Sequence, residues 1–173
     1  MSRLPACLAL LTVLAASASA SAQFDTRFAF SLEGGGGFLQ DAEESEDATV
    51  FIPGGAGSLM LGARVGSMDG VFAWALAYQG SVFADSSALL HRHHATVAIH
   101  ARFVTAIIGG GVSLVTPLTG EGASDVGGSV TADLRVNFGR SGLFLGIPFK
   151  LDVLTKSGNV WFQSVLTLGF QTF

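Results

Sequence analysis

From Val160 to the end of the chain, Phe162, Ser164, Leu166, Leu168 and Phe170 alternate with Trp161, Gln163, Val165, Thr167, Gly169 and Gln171. A period of two predicts a β-strand with one apolar and one mixed face. The same alternation recurs upstream. Phe24, Thr26, Phe28, Phe30 and Leu32 oppose Asp25, Arg27, Ala29, Ser31 and Glu33, and a second strand over about Phe51 to Gly66 sets Leu59, Leu61, Ala63 and Val65 against Ser58, Met60 and Arg64. A third, Val71 to Phe83, sets Phe72, Trp74, Leu76, Tyr78 and Val82 against small or polar residues. A fourth sets Ala95, Val97, Ile99, Ala101 and Phe103 against His94, Thr96, His100 and Arg102. The fifth, about Ala106 to Thr116, carries Ile108, Val112 and Leu114 on one side, with Ile107 and Val115 blurring the pattern. In the sixth, Val130, Ala132, Leu134, Val136 and Phe138 oppose Thr131, Asp133, Arg135 and Asn137. The seventh sets Leu143, Leu145, Ile147, Phe149, Leu151 and Val153 against Gly146, Lys150 and Asp152.

The connections alternate as well. Tight turns are expected at Ser67 to Gly70, near Val104 and at Gly139 to Gly142. Longer loops are expected at Gln40 to Thr49, from Ala84 to about His93 and from Pro117 to Gly128, with Thr155 to Asn159 a shorter link. The first loop is acidic, with Asp41, Glu43, Glu44, Glu46 and Asp47. Such a run is a solvated loop unless it binds divalent cations or a basic partner. The run Gly34 to Gly37 reads as a tight bend or a close approach. Pro148 lacks the N–H a ladder needs, so it implies a bulge or a shortened strand.

The first residues are of another kind. Arg3 precedes an apolar run from Leu4 to Ala16 and the small-residue stretch Ser17 to Ala22, the layout of a secretory signal peptide cleaved before Ser21 or Gln23. A run of about 13 apolar residues falls short of the roughly 20 a spanning helix needs. Residues 1–22 are therefore assigned as signal peptide and 23–173 as one barrel domain. The chain's one cysteine, Cys7, lies in the leader, so the exported chain carries no disulfide. Removing the leader takes Arg3 from the nine Lys and Arg and none of the 13 Asp and Glu, a balance that argues against a nucleic-acid partner. Charged residues make up 13% of the chain, against about 25% in soluble domains. Much of the surface is then covered by something other than water. With no long apolar run after the leader, a membrane-inserted chain crosses as strands.

The contents of the two faces decide which is inside. One face mixes Gly, Ala and Ser with Glu33, Arg64, Arg102, Asp133, Arg135, Lys150 and Asp152, both signs together, and His100 joins it by phase. That set suits the narrow interior of an eight-stranded barrel, where opposite charges neutralise one another. The other face is aliphatic, with aromatics near both ends: Phe24, Phe72, Trp74, Phe103 and Phe138 at one, Phe51, Tyr78 and Phe162 at the other.

Eight amphipathic strands, alternating short and long connections, two aromatic girdles and a terminal Phe173 resemble the small eight-stranded bacterial outer-membrane β-barrels, over the whole exported chain. The resemblance implies an all-β, antiparallel, up-and-down transmembrane barrel with a polar filled lumen and no open pore. It implies a monomer in the bacterial outer membrane, in contact with outer-membrane lipid and lipopolysaccharide and inserted by the outer-membrane assembly machinery. No residue motif ties the chain to a subfamily.

Catalytic motifs are missing from the sequence: there is no Walker loop, dinucleotide fingerprint, HExxH, G-x-S-x-G or cysteine cluster. No catalytic, cofactor or metal residues are assigned. The stretch Asp85-Ser86-Ser87 to His91, Arg92, His93 and His94 stands at the expected outer rim, where a lipid-modifying barrel enzyme would hold a Ser or His. Two alternatives thus stand beside a structural or interaction barrel serving adhesion or envelope integrity. One is a lipid acylase or deacylase using His91, His93 and His94; the other is a secreted soluble barrel binding a small apolar ligand.

Overall fold

The computed structural model describes residues 26–41, 50–66, 72–101, 103–119, 123–139 and 141–172. The leader with Cys7, most of the acidic first loop, the Ser67 to Gly70 turn, Arg102 and Phe173 lie outside them. Eight strands follow one another: β1 Thr26–Asp41, β2 Val50–Val65, β3 Phe72–Ala84, β4 Ala88–Ala101, β5 Val104–Pro117, β6 Asp125–Asn137, β7 Leu143–Leu154 and β8 Val160–Gln171. Each pairs antiparallel with its sequence neighbour, and β8 closes on β1. Closure leaves no edge strand with unpaired N–H and C=O groups, which is what permits a sheet to stand in hydrocarbon.

Following the register once around the wall leads from Phe28 through Ala63, Leu76, Val97, Ile108, Ala132, Phe149 and Ser164 to Phe38, ten residues further along β1. With a rise of about 3.3 Å per residue and about 4.8 Å between strands, that stagger tilts the strands by about 40°, within the range closed barrels require.

The faces divide as the alternation predicts. Phe28 is 66% exposed, Ile108 64% and Leu168 60%, whereas Arg135, Arg64 and Lys150 are 0%, 1% and 3% exposed. The greasy face is outside, which overturns the soluble-barrel alternative. Outward aromatics mark both ends. Phe28, Phe72, Trp74, Phe103 and Phe138 ring the end at which β1 starts and β8 finishes. Towards the other, the loop end, Phe38 meets Phe51 edge-on at 6.2 Å and Phe149 stacks on Phe162 at 6.1 Å.

Four expectations are corrected. The expected loop from Ala84 to His93 is the three-residue turn Asp85–Ser87, because β4 begins at Ala88. Of the two readings of Gly34 to Gly37 the bend fails and the close approach holds: β1 passes through, pairing with β2 and β8, and a Cβ at Gly35 or Gly37 would collide with the Leu166 or Ser164 carbonyl of β8. β6 begins at Asp125, inside the expected loop Pro117 to Gly128. Pro148 causes neither a bulge nor a shortened strand. β7 is continuous and pairs with β6 through Asp133–Pro148, while the ladder to β8 simply omits Ile147 and Pro148 and resumes in the same register at Phe149–Ser164.

Ile107 and Val115, which blurred the alternation of β5, point inward. Ile107 packs with Met60 and with Ala29, Ala75, Ala77 and Ala98, the four alanines leaving room for long polar side chains opposite. Val115 belongs to an apolar cap at the loop end with Leu39, Phe83, Leu90 and Leu154, against which Ile52, Ala56, Ala88 and Trp161 pack.

Candidate functional site

Beneath the apolar cap the lumen is crossed by polar side chains in tiers. Arg92 of β4 reaches across to Asp152 of β7. Its Nε donates to Oδ1 at 3.0 Å and Oδ2 at 2.9 Å, its Nη2 to Oδ2 at 2.6 Å, and its Nη1 to Gln163 Oε1. Both charged groups are shielded from solvent, a placement tolerated because each satisfies the other. His94, two residues along the same face, passes over Gly111 to bond Ser129 at 2.8 Å. Gly111 permits this close passage; a Cβ there would collide with the His93 carbonyl and the His94 Cα.

The second tier centres on Arg135. Its Nε donates to Asp133 Oδ2 at 2.6 Å, its Nη2 lies 3.3 Å from Glu33 Oε2, and its Nη1 donates to Ser31 at 2.8 Å and to Gln171 Oε1 at 3.1 Å. The guanidinium sits 4.3 Å above the Phe144 ring, and Thr167 donates to Glu33 at 3.2 Å. Lys150 lies between the tiers, within electrostatic reach of Glu33, Asp133 and Asp152 as well as Arg92. Towards the terminal end, Gln171 Nε2 donates to Thr105 at 3.0 Å and Asn137 Oδ1 at 2.7 Å, and His100 Nδ1 bonds Thr105 at 2.9 Å.

Of the lumen residues singled out from sequence, Glu33, Asp133 and Arg135 are brought into direct contact. Asp152 contacts Arg92 instead, Lys150 sits between the tiers, and buried Arg64 stands in the part of the lumen near His100. His100 is half-buried, and Arg102 is outside the described residues. Arg92 was missed. Counting back by two from Thr96 through His94 reaches it, but polar residues on both faces from His91 to His94 hid the phase.

The rim triad is split. His94 faces the lumen, a correction to its place with His91 and His93, which stay on the outer wall. The Tyr78 hydroxyl bonds His93 Nδ1. Ser87 is engaged with Asp85, whose Oδ1 accepts from the Ser87 hydroxyl at 2.7 Å and the Ala88 N–H at 2.9 Å. Partial burial raises the Asp85 pKa, but these bonds and the Ser87 N–H outweigh it and leave the carboxyl below its ordinary value. At the neighbouring rim the Asp125 carboxylate accepts the N–H groups of Lys156 and Ser157, both at 3.0 Å, pinning the β7–β8 turn. Desolvation opposes ionisation there too, yet the backbone donors of Ser157 and Lys156, the Ser157 hydroxyl and the Val126 N–H bring the pKa down to about 2. Among the described residues no three His, Cys, Asp or Glu side chains gather as a metal cluster.

An apolar outer wall around a charge-matched interior defines a transmembrane β-barrel of the bacterial outer-membrane type. Solved structures agree on the fold. The chain is similar to Neisserial surface protein A (NspA), with 11% identity, 86% of this chain and 99% of that one covered, and a TM-score of 0.50. It is also similar to the N-terminal β-barrel domain of OprF from Pseudomonas aeruginosa, with 12% identity, 86% and 100% covered, and a TM-score of 0.51. Ail, the attachment invasion locus protein of Yersinia pestis, overlays less closely, with 12% identity, 84% and 99% covered, and a TM-score of 0.41. No protein-family profile matches the sequence, and no curated protein does.

Proposed function

We propose that the protein is a closed structural or interaction barrel of the outer membrane, serving adhesion or envelope integrity through its loops rather than passing solutes through its bore. The observation that carries this is the obstructed lumen. Arg92, Asp152 and Gln163 bridge opposite walls, Arg135 gathers Glu33 and Asp133 below them, and Leu39, Phe83, Leu90, Val115 and Leu154 cap the loop end. The outer wall is in contact with lipid and, towards the loop end, lipopolysaccharide; the barrel is a monomer delivered by the outer-membrane assembly machinery. The lipid-enzyme alternative draws less support, since His93 bonds Tyr78 and Ser87 bonds Asp85 rather than each other.

Reconstitution of the purified barrel into planar bilayers tests the closed bore: the membrane should stay electrically silent, and a steady ionic conductance overturns the proposal. A deletion strain assayed for detergent sensitivity and for attachment to host-like surfaces tests the role, where wild-type behaviour in both assays counts against it.

A further inference from the structure

The strand that carries His91-Arg92-His93-His94 divides the cluster. β4 runs unbroken through it, so His91 and His93 project from the outer wall while Arg92 and His94 project into the lumen. Two imidazoles at i and i+2 on one strand face have Cα atoms about 7 Å apart, close enough for both rings to turn towards one ion. Their surroundings set them up unequally. The Tyr78 hydroxyl bonds His93 Nδ1, and the two rings stack with centroids 6.0 Å apart at 25°. Tyr78 reaches that far because His93's cross-strand partner is Gly80, and the phenol lies 3.3 Å from where a Gly80 Cβ would stand. In the tautomer whose Nδ1–H donates to the Tyr78 oxygen, Nε2 keeps its lone pair free for a metal, and this is the outer hydrogen bond that ligating histidines use to fix ring orientation. No hydrogen bond engages the His91 ring among the described residues. The remaining cross-strand neighbours, Val82, Leu114 and Val112, offer no oxygen or sulfur donor.

We propose that His91 and His93 form a two-imidazole site on the outer wall for a divalent transition ion, Cu2+ ahead of Ni2+ and Zn2+, with water or other oxygen donors completing its coordination. Two neutral nitrogen donors and no carboxylate favour these ions over Ca2+ and Mg2+, which take oxygen ligands, and the ordering follows their general affinity for imidazole. His94, one residue further along, takes no part.

The test uses tag-free folded barrel in detergent at neutral pH, titrated with Cu2+ alone by calorimetry and examined by electron paramagnetic resonance. One Cu2+ per barrel carrying two imidazole nitrogens is expected. His91→Ala and His93→Ala each weaken binding about tenfold or more, Tyr78→Phe weakens it several-fold, and His94→Asn leaves it unchanged. Both outer histidines sit outside the lumen network, so their variants retain the folded gel mobility. If His94→Asn fails to fold, the His91→Ala/His93→Ala double variant decides alone. Wild-type binding by that double variant, loss of binding on His94→Asn in folded protein, a single-nitrogen signal, or no binding to the wild type overturns the assignment.

Discussion

Replacing Asp152 by Asn removes one negative charge from the lumen at nearly constant volume. Arg92 Nε and Nη2 make their bonds to the Asp152 carboxylate, both side chains are fully buried, and the remaining Arg92 bond goes to neutral Gln163. Lys150, within reach of the same carboxylate, loses part of its counter-charge as well. Breaking a buried pair from one side costs about 3–5 kcal/mol, because the orphaned charge stays out of water. That corresponds to roughly two to four powers of ten in the folding constant. Urea titration of the folded barrel in detergent or lipid vesicles, followed by the fluorescence of Trp74 and Trp161 and by gel mobility of unheated samples, measures it. The informative partner is Arg92→Leu/Asp152→Leu, which removes both charges and should recover most of the loss. A drop below about 1 kcal/mol for Asp152→Asn, the level of an exposed pair, or a double variant as unstable as the single one, refutes the view that these groups are a dry, mutually dependent pair.

Other outcomes follow from the same geometry. Gly111→Ala should fold in poor yield, read as loss of the fast-migrating band, because the new methyl collides with the His93 carbonyl; Gly110→Ala, whose methyl on the other face of β5 meets only the Ser129 carbonyl at 3.7 Å and Val130 at 4.0 Å, should fold normally. Single cysteines at Ile108, Leu134 and Leu168 should react with lipid-soluble maleimides, and cysteines at Thr131 and Asp133 should resist both lipid-soluble and water-soluble reagents. The Asp125 contribution follows from its low folded-state pKa: it is complete above the ordinary carboxylate pKa near 4 and disappears as pH falls through about 2. Acid-unfolding curves of wild type and Asp125→Ala should therefore differ at pH 5 and above and converge below about pH 2.

All eight strands were legible because lipid imposes one rule on every outward position while the lumen accepts a mixture. Where the inward face was polar, as in β6 with Thr131, Asp133 and Arg135, the phase was plain and the buried residues could be named. The same logic failed where both faces resembled each other. His91 to His94 is polar throughout, so the start of β4 read as loop and Arg92 was lost with it. Leu89-Leu90 and Val115 are apolar on both sides because the wall there encloses oily side chains instead of ions. Gly34 to Gly37 and Gly127-Gly128 carry no side chain with which to signal a face. Pro148 implied a break in register, but its neighbours on β6 hold β7 straight and only rungs to β8 are missing. Which charges pair was beyond one-dimensional pattern, since Arg92 and Asp152 lie three strands apart around the wall.

Leu39, Phe83, Leu90, Val115 and Leu154 put a conventional oily core on top of an ionic one, so the tube is a composite of two materials. Chaotropes that solvate hydrocarbon should loosen the upper stopper at lower concentration than the ion-filled shaft below, which neutralisation of its carboxylates weakens instead. Such a molecule frays from its loop end downwards while its grip on the bilayer is still intact.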